Sequence, residues 1–111
     1  MRGMDESLRQ LVWQRAEDTC EYCRVPQQFD ALPFQIDHII AEKHRGPTAE
    51  DNLALSCYGD NAYKGPNIAG VAPVSGAIVP LFDPRRDRWA EHFAWEGAWL
   101  SGRTPRARAT I

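Results

Sequence analysis

The sequence predicts an α+β fold in which short helices alternate with short strands. Near the start of the chain, apolar residues recur at helical spacing. The segment from Phe34 to Ile40 is instead rich in β-branched and aromatic residues and alternates at first, which is typical of a strand. Gly-Pro pairs at 46–47 and 65–66 separate the later segments, so the connections are short.

The first helix is expected from about Asp5 to Asp18. Either Asp5 or Ser7, which has Gln10 three residues further on, can begin it. The apolar residues that give the helical spacing are Leu8, Leu11, Val12 and Ala16.

After the strand, Thr48 to Asp51 form a capping-box pattern, which predicts a short helical turn that carries residues 52–55 toward Cys57. A helix from about Asp60 to Lys64 should end at Gly65-Pro66, because glycine can adopt a left-handed cap and proline cannot extend a helix. The expected later elements are a hairpin turn at 74–77 before a strand at 78–82, a helix over 85–93 begun by Asp83-Pro84, a hairpin at 94–100 and a basic tail at 101–111.

Length and composition limit the class of protein. The chain has 111 residues, of which 43% are apolar and 25% charged, as expected for one ordinary domain. It contains no run of 18 apolar residues, and no apolar stretch follows Arg2. We therefore expect neither a membrane span nor a secretory signal, and a cytoplasmic location.

The net charge of −2 conceals an asymmetry between the two parts of the chain. Residues 1–63 carry 6 Lys/Arg against 11 Asp/Glu, whereas residues 64–111 carry 7 against 4. Because screening makes electrostatic fields local, the basic part can still bind a polyanion. The alternative is that these arginines form a solvated surface.

Three cysteines, an odd number, argue against a secreted disulfide framework. In a reducing compartment, the pair Cys20-Glu-Tyr-Cys23 is typical of half a metal site or of a redox pair. Nothing around the pair resembles the βαβ pattern of a thioredoxin, so the redox hypothesis is weak.

Asp37 and His38 are adjacent near the end of the predicted strand. The pleat of a strand points such neighbours to opposite faces, so that one could hold a divalent cation while the other serves a different role. Alternatively, the strand end twists enough for both side chains to face one site.

A longer pattern connects these residues. Cys20-x-x-Cys23 is followed by Ile36-Asp37-His38-Ile39, by Gly46-Pro-Thr with Asp51-Asn52-Leu53, and by Cys57 with Asn61-x-x-Lys64-Gly65. Over residues 12–66 this order resembles the HNH endonucleases. The segment from Leu81 to Phe93 also resembles one bacterial branch of that family, more weakly.

The resemblance implies a ββα-metal core, with an N-terminal helix and a C-terminal helix and hairpin extension. It also implies catalytic roles for His38, Asn52 and Asn61. His38 would be the general base, since an ordinary imidazole accepts a proton near neutral pH. Asp37 and Asn61 would hold a catalytic Mg²⁺ or Mn²⁺ through oxygen atoms, and Asn52 would brace the loop between the strands.

Three further residues are candidate substrate contacts. His44 and Arg45 lie in the loop after the strand, where they could meet a phosphate. Lys64 could do the same, or it could simply complement the negative end of its helix.

Many members of the family bind a structural zinc ion with four cysteines. Here Cys20, Cys23 and Cys57 are present, and Asp60 stands at the fourth position. A Cys₃Asp zinc site, a site completed by His44 or another group, and the absence of zinc all remain open.

These interpretations together predict a single domain over 1–111, with its core at about 12–66 and an extension at about 67–111. The expected function is metal-dependent endonucleolytic cleavage of DNA, with nicking as the elementary reaction. The partner would be DNA, double-stranded and bound with weak sequence specificity, and the chain a monomer or homodimer. The alternative is a catalytically silent zinc-knuckle module that binds nucleic acid or protein.

Overall fold

The structure, a computed structural model, describes residues 4–111 and has an α+β fold. The chain divides between Pro66 and Asn67 into two compact units, which we call the N-terminal unit and the C-terminal unit. No helix in the described part of the chain is both long enough and apolar enough to cross a bilayer.

Helix α1 covers Glu6–Ala16, and Asp5 is its N-cap. The Asp5 carboxylate accepts a hydrogen bond from the backbone N–H of Ser7 at 2.8 Å, which decides between the two expected starts. The helix ends earlier than the sequence suggested because Glu17 and Asp18 adopt positive φ angles of 54° and 55°.

Two antiparallel strands follow, β1 over Gln35–His38 and β2 over Leu53–Ser56. Asp37 pairs with Ala54 and His38 with Leu53. The connecting loop contains 3₁₀ turns at Glu42–His44 and Glu50–Asn52. The expected helical turn after Thr48 is therefore present, and it leads into β2.

Helix α2 covers Tyr58–Lys64. It begins earlier than predicted because Cys57 is its N-cap, with Sγ accepting from the N–H of Asp60 at 3.4 Å. It ends at Gly65, as expected, but with φ 51° and ψ −140°, so the cap is not left-handed helical.

The C-terminal unit contains two hairpins and two helices. Strands β3 (Ala69–Val71) and β4 (Ile78–Pro80) pair antiparallel, as do β5 (Phe93–Glu96) and β6 (Trp99–Gly102). Gly76 and Gly97 turn these hairpins with φ angles of 74° and 62°, a conformation that favours glycine.

The prediction of a helix over 85–93 is wrong for its first half, because α3 covers only Trp89–His92. The Asp83 carbonyl accepts from the N–H groups of Arg86 and Asp87, which closes a single turn. Arg88 is then extended, and two hydrogen bonds from Arg106 hold the carboxylate of Asp87. These contacts separate the turn from α3.

The prediction of a basic tail at 101–111 also needs correction, because Pro105–Thr110 form helix α4. Thr104 is its N-cap and Pro105 its first residue, a start signal that the basic composition obscured. Helix α4 contacts β3 and β4, and its Ala107 is fully buried.

Each unit has its own apolar core. In the N-terminal unit, fully buried Val12 of α1 lies in the same core as Leu53 and Leu55 of β2, and Trp13 stacks on Phe34 with ring centroids 6.4 Å apart. In the C-terminal unit, Phe82 and Phe93 meet edge to face at 5.1 Å.

Candidate active site and metal cluster

Strand β1 brings Asp37 to the interior of the N-terminal unit. The side chain is 7% exposed, and Oδ2 accepts a hydrogen bond from the Tyr22 hydroxyl at 2.6 Å. Lys64 Nζ lies 3.3 Å from the same oxygen. Burial raises the pKa of Asp37, and the contacts with Tyr22 and Lys64 oppose that rise.

His38 is half-buried and follows Asp37 on the strand. Its Nε2 lies 2.9 Å from the Thr48 hydroxyl, across the loop that joins the two strands. This hydrogen bond fixes the orientation of the imidazole ring.

Asn52 braces the loop between the strands. Its Oδ1 accepts from the Ile40 N–H at 2.9 Å, while Nδ2 donates to the carbonyls of Ile40 and Pro47 at 3.0 and 2.9 Å. The backbone of the loop passes close to the Ile40 carbonyl at Gly46. Only glycine fits there, because a Cβ atom would lie 1.7 Å from the Ile40 carbonyl oxygen. The loop that follows His38 therefore has a defined shape.

Helix α2 places Asn61 and Lys64 one turn apart. The Asn61 amide nitrogen donates to the Gln35 side-chain oxygen, so the amide oxygen is available as a ligand. Lys64 points inward instead, with its Nζ near the carbonyls of His38 and Ile39 at 3.3 and 3.1 Å. Its side chain is 9% exposed, so the structure offers no basis for the expected contact between Lys64 and a phosphate.

Asp37, His38 and Asn61 line one open cavity of about 270 Å³. Although adjacent on the strand, Asp37 and His38 thus both line this cavity. The remaining lining residues are Ile36, Ala41, Glu42, Gly65 and Pro66.

Glu42 is a candidate functional residue that the sequence reasoning missed. It is exposed, and it borders the same cavity as Asp37. A carboxylate four residues after His38, just beyond the strand, was the available signal. His44 and Arg45 are exposed in the same loop but do not line the cavity.

The second cluster comprises Cys20, Cys23, Cys57 and Asp60. One ligand atom from each lies within 4.8 Å of the others, the spacing of a group that could hold a metal ion. His44 is not part of this group. The loop that follows α1 supplies the first two residues, and the start of α2 supplies the other two.

The close spacing of these four side chains shifts their pKa values. Hydrogen bonds from Cys23 and Cys57 lower the pKa of Cys20, whereas interactions with Cys20 raise the pKa of both other thiols. Burial and the neighbouring Cys20 raise the pKa of Asp60 to about 6. Three sulfur donors and a carboxylate are chemically suited to Zn²⁺, which would favour the deprotonated forms.

Residues 20–66 match the family model described as HNH endonuclease. This segment contains both the cavity and the cysteine cluster. Residues 20–66 belong to the HNH endonuclease family. The HNH segment covers somewhat less than half of the chain, and a comparison with curated proteins gives no match.

Proposed function

We propose that the chain is a metal-dependent DNA endonuclease that hydrolyses phosphodiester bonds, one strand per event. The observation that carries this proposal is the cavity lined jointly by Asp37, His38 and Asn61, where the hairpin meets α2. In this interpretation β1, β2 and α2 are the ββα-metal unit of the HNH segment.

The donor atoms at the cavity fit a hard divalent cation. Every hydrogen bond and ion pair of the Asp37 carboxylate within residues 4–111 uses Oδ2, so Oδ1 is available, as is the Asn61 amide oxygen. Mg²⁺ or Mn²⁺ accepts such oxygen ligands and keeps several water molecules. A bound ion would neutralise negative charge that develops on the scissile phosphate.

In the proposed mechanism, His38 accepts a proton from the water that attacks phosphorus, and the 3′ oxygen leaves. Thr48 holds the imidazole ring through its hydroxyl, and Asn52 fixes the loop on which Thr48 lies. General-base catalysis of this kind contributes about 10²–10⁴-fold to a rate.

The C-terminal unit supplies the positive charge that we propose for binding double-stranded DNA without strong sequence specificity. Its arginines differ in availability, since Arg86, Arg88, Arg103 and Arg108 are exposed whereas Arg106 is paired with Asp87. We propose His44 and Arg45 as further phosphate contacts from the exposed loop. Backbone contacts of this kind do not themselves select a sequence.

We further propose that the cysteine cluster holds a structural Zn²⁺ through Cys20, Cys23, Cys57 and Asp60. Its ligands would join the loop after α1 to the start of α2. Such an ion would contribute directly to the folding of the N-terminal unit.

One contact favours a second candidate, a catalytically silent module that binds nucleic acid or protein. Lys64 already pairs with Asp37, the carboxylate that the nuclease needs for its metal ion. If that ion pair excluded a cation, the HNH scaffold would bind DNA without cutting it.

The two candidates separate in a plasmid-nicking assay with Mg²⁺ and with Mn²⁺. The nuclease requires that wild type nicks the plasmid, that His38→Ala slows nicking at least 100-fold, and that Gln14→Ala, at an exposed site on α1, has no effect. DNA bound but intact in both metals favours the silent module. Undiminished nicking by His38→Ala contradicts the assignment of the base.

A further inference from the structure

The two residues between Cys20 and Cys23 are both buried, although they lie in a tight turn. Glu21 is 8% and Tyr22 6% exposed. The turn closes through hydrogen bonds from the Cys20 N–H to the Val25 carbonyl and from the Arg24 N–H to the Cys20 carbonyl. Glu21 and Tyr22 therefore point toward the hairpin rather than toward solvent.

Glu21 attaches this turn to β2. Its N–H donates to the Leu55 carbonyl at 2.8 Å, and its carboxylate accepts from the Leu55 N–H at 3.0 Å. This double contact fixes the distance between the turn and the strand, because both backbone groups of Leu55 are used on that side.

Tyr22 attaches the same turn to β1, at the carboxylate of Asp37. The hydroxyl lies 2.6 Å from Oδ2, and both residues are buried. Because Asp37 pairs with Ala54, next to Leu55, the two contacts act on neighbouring positions of the hairpin. With Lys64 on the same oxygen, the carboxylate is held so that Oδ1 is the free atom.

Cys20 and Cys23, which flank Glu21 and Tyr22 in the turn, belong to the cysteine cluster. Among the weak contacts to sulfur there, Cys20 Sγ lies 3.2 Å from Asp60 Oδ2 and Cys23 Sγ lies 3.9 Å from Cys57 Sγ. A metal ion bound to Cys20 and Cys23 would fix both neighbours of Tyr22 and thereby the position of its hydroxyl.

We propose that Tyr22 is a positioning residue that links the occupancy of the cysteine cluster to the orientation of Asp37. This inference rests on the proposed function, in which Asp37 holds the catalytic cation. Loss of the ion from the cluster would then weaken the binding of the second ion, without any direct contact between the two sites. Removal of a hydrogen-bond partner from a metal ligand typically weakens metal binding by about 10–100-fold.

The test compares Tyr22→Phe with Tyr63→Phe, which makes the same chemical change at a tyrosine that is 74% exposed on α2. Mn²⁺ binding is measured by calorimetry, and nicking is measured as a function of Mn²⁺ concentration. We expect Tyr22→Phe to weaken Mn²⁺ binding about 10-fold and to shift the half-saturating Mn²⁺ concentration equally. Its rate at saturating Mn²⁺ should stay near that of wild type, and Tyr63→Phe should match wild type throughout.

An unchanged half-saturating Mn²⁺ concentration in Tyr22→Phe overturns the inference, even if the variant melts at a lower temperature. If wild type neither binds Mn²⁺ nor nicks DNA, the proposed function itself fails. If wild type nicks and both variants behave alike, only the role of Tyr22 is lost.

A second comparison tests the link to the cluster, with Asp60→Asn used to weaken that site in both backgrounds. We expect this change to weaken Mn²⁺ binding when Tyr22 is present and to add little in Tyr22→Phe. Equal losses in the two backgrounds contradict the link. Circular dichroism checks the fold, and if Asp60→Asn does not fold, removal of the ion from the cluster by a zinc chelator, in wild type and in Tyr22→Phe, makes the same comparison.

Discussion

Lys64 Nζ lies 3.3 Å from Asp37 Oδ2, and both side chains are more than nine-tenths buried. The lysine also contacts the carbonyls of His38 and Ile39, so a single ammonium joins the end of α2 to the end of β1. It supplies a positive charge to Asp37 and leaves the other carboxylate oxygen free. The ion pair thus offsets the negative charge that Asp37 brings to the cavity.

Lys64→Met should destabilise the N-terminal unit by about 3–5 kcal/mol, because it leaves Asp37 buried without its cationic partner. Mn²⁺ should restore part of this loss, since the metal would then provide the missing charge. Chemical denaturation with and without Mn²⁺ measures both effects.

Lys43→Met, at an exposed lysine in the loop, is the matched control and should change neither quantity. A Lys64→Met protein as stable as wild type would show that the ion pair contributes little. Equal stabilisation of wild type and Lys64→Met by Mn²⁺ would argue that the ion does not bind at Asp37.

Asn52→Ala should cost about 2–3 kcal/mol and should also reduce nicking, because it removes three hydrogen bonds that a 6% exposed side chain makes to the backbone of Ile40 and Pro47. Urea denaturation and the plasmid assay measure the two losses. Asn67→Ala, at an exposed asparagine, is expected to be neutral. Full activity in Asn52→Ala would mean that the shape of the loop does not control His38.

The local part of the site could be predicted from the sequence. Adjacent residues on a strand and residues three apart on a helix have fixed spatial relations, so the placement of Asp37 beside His38 and of Asn61 one turn before Lys64 followed from spacing. The sequence could not show whether the Lys64 side chain points inward or outward, because its direction depends on what the end of the helix packs against.

Contacts between segments that are distant along the chain could not be predicted from the sequence. The Tyr22 hydroxyl meets Asp37 across 15 residues, and Glu21 meets Leu55 across 34. Helix α4 was missed because its start signal at Thr104-Pro105 stands in a basic segment, and burial of Ala107, which supports the helix, could not be seen in the sequence.

The N-cap of α1 should make stability depend on pH. Hydrogen bonds from Ser7 lower the pKa of Asp5 below its ordinary value, so the ionised carboxylate favours the folded state. This stabilisation is fully present above the ordinary value near 3.8 and is lost as the pH falls through the lowered pKa. Asp5→Asn keeps a capping side chain without the charge.

Wild type should therefore melt above Asp5→Asn at pH 7, and the two melting temperatures should converge as the pH falls through the lowered pKa of Asp5. Thermal denaturation followed by circular dichroism over a pH series from 7 downward tests this. A difference that stays constant with pH would exclude the charge of Asp5 as its cause.

Protein purified without added zinc should contain about one zinc ion per chain, and its removal by a chelator should lower the melting temperature. Asp60→Cys should bind zinc more tightly than wild type, since structural zinc sites favour thiolates. Elemental analysis and competition with a chromophoric chelator measure content and affinity. No zinc in the protein, together with a melting temperature unaffected by the chelator, would exclude a structural zinc ion.

Arg88→Ala and Arg106→Ala should have different effects on DNA binding, although each removes one arginine from the C-terminal unit. Arg88 is exposed, whereas Arg106 Nη1 lies 2.7 Å from Asp87 Oδ1 and holds the turn before α3. We expect Arg88→Ala to lower the slope of log affinity against log salt by about one, because one phosphate contact is lost. Arg106→Ala should mainly lower the melting temperature. Fluorescence anisotropy with a duplex across salt concentrations measures the slope, and a slope unchanged in Arg88→Ala would exclude Arg88 from the DNA contact.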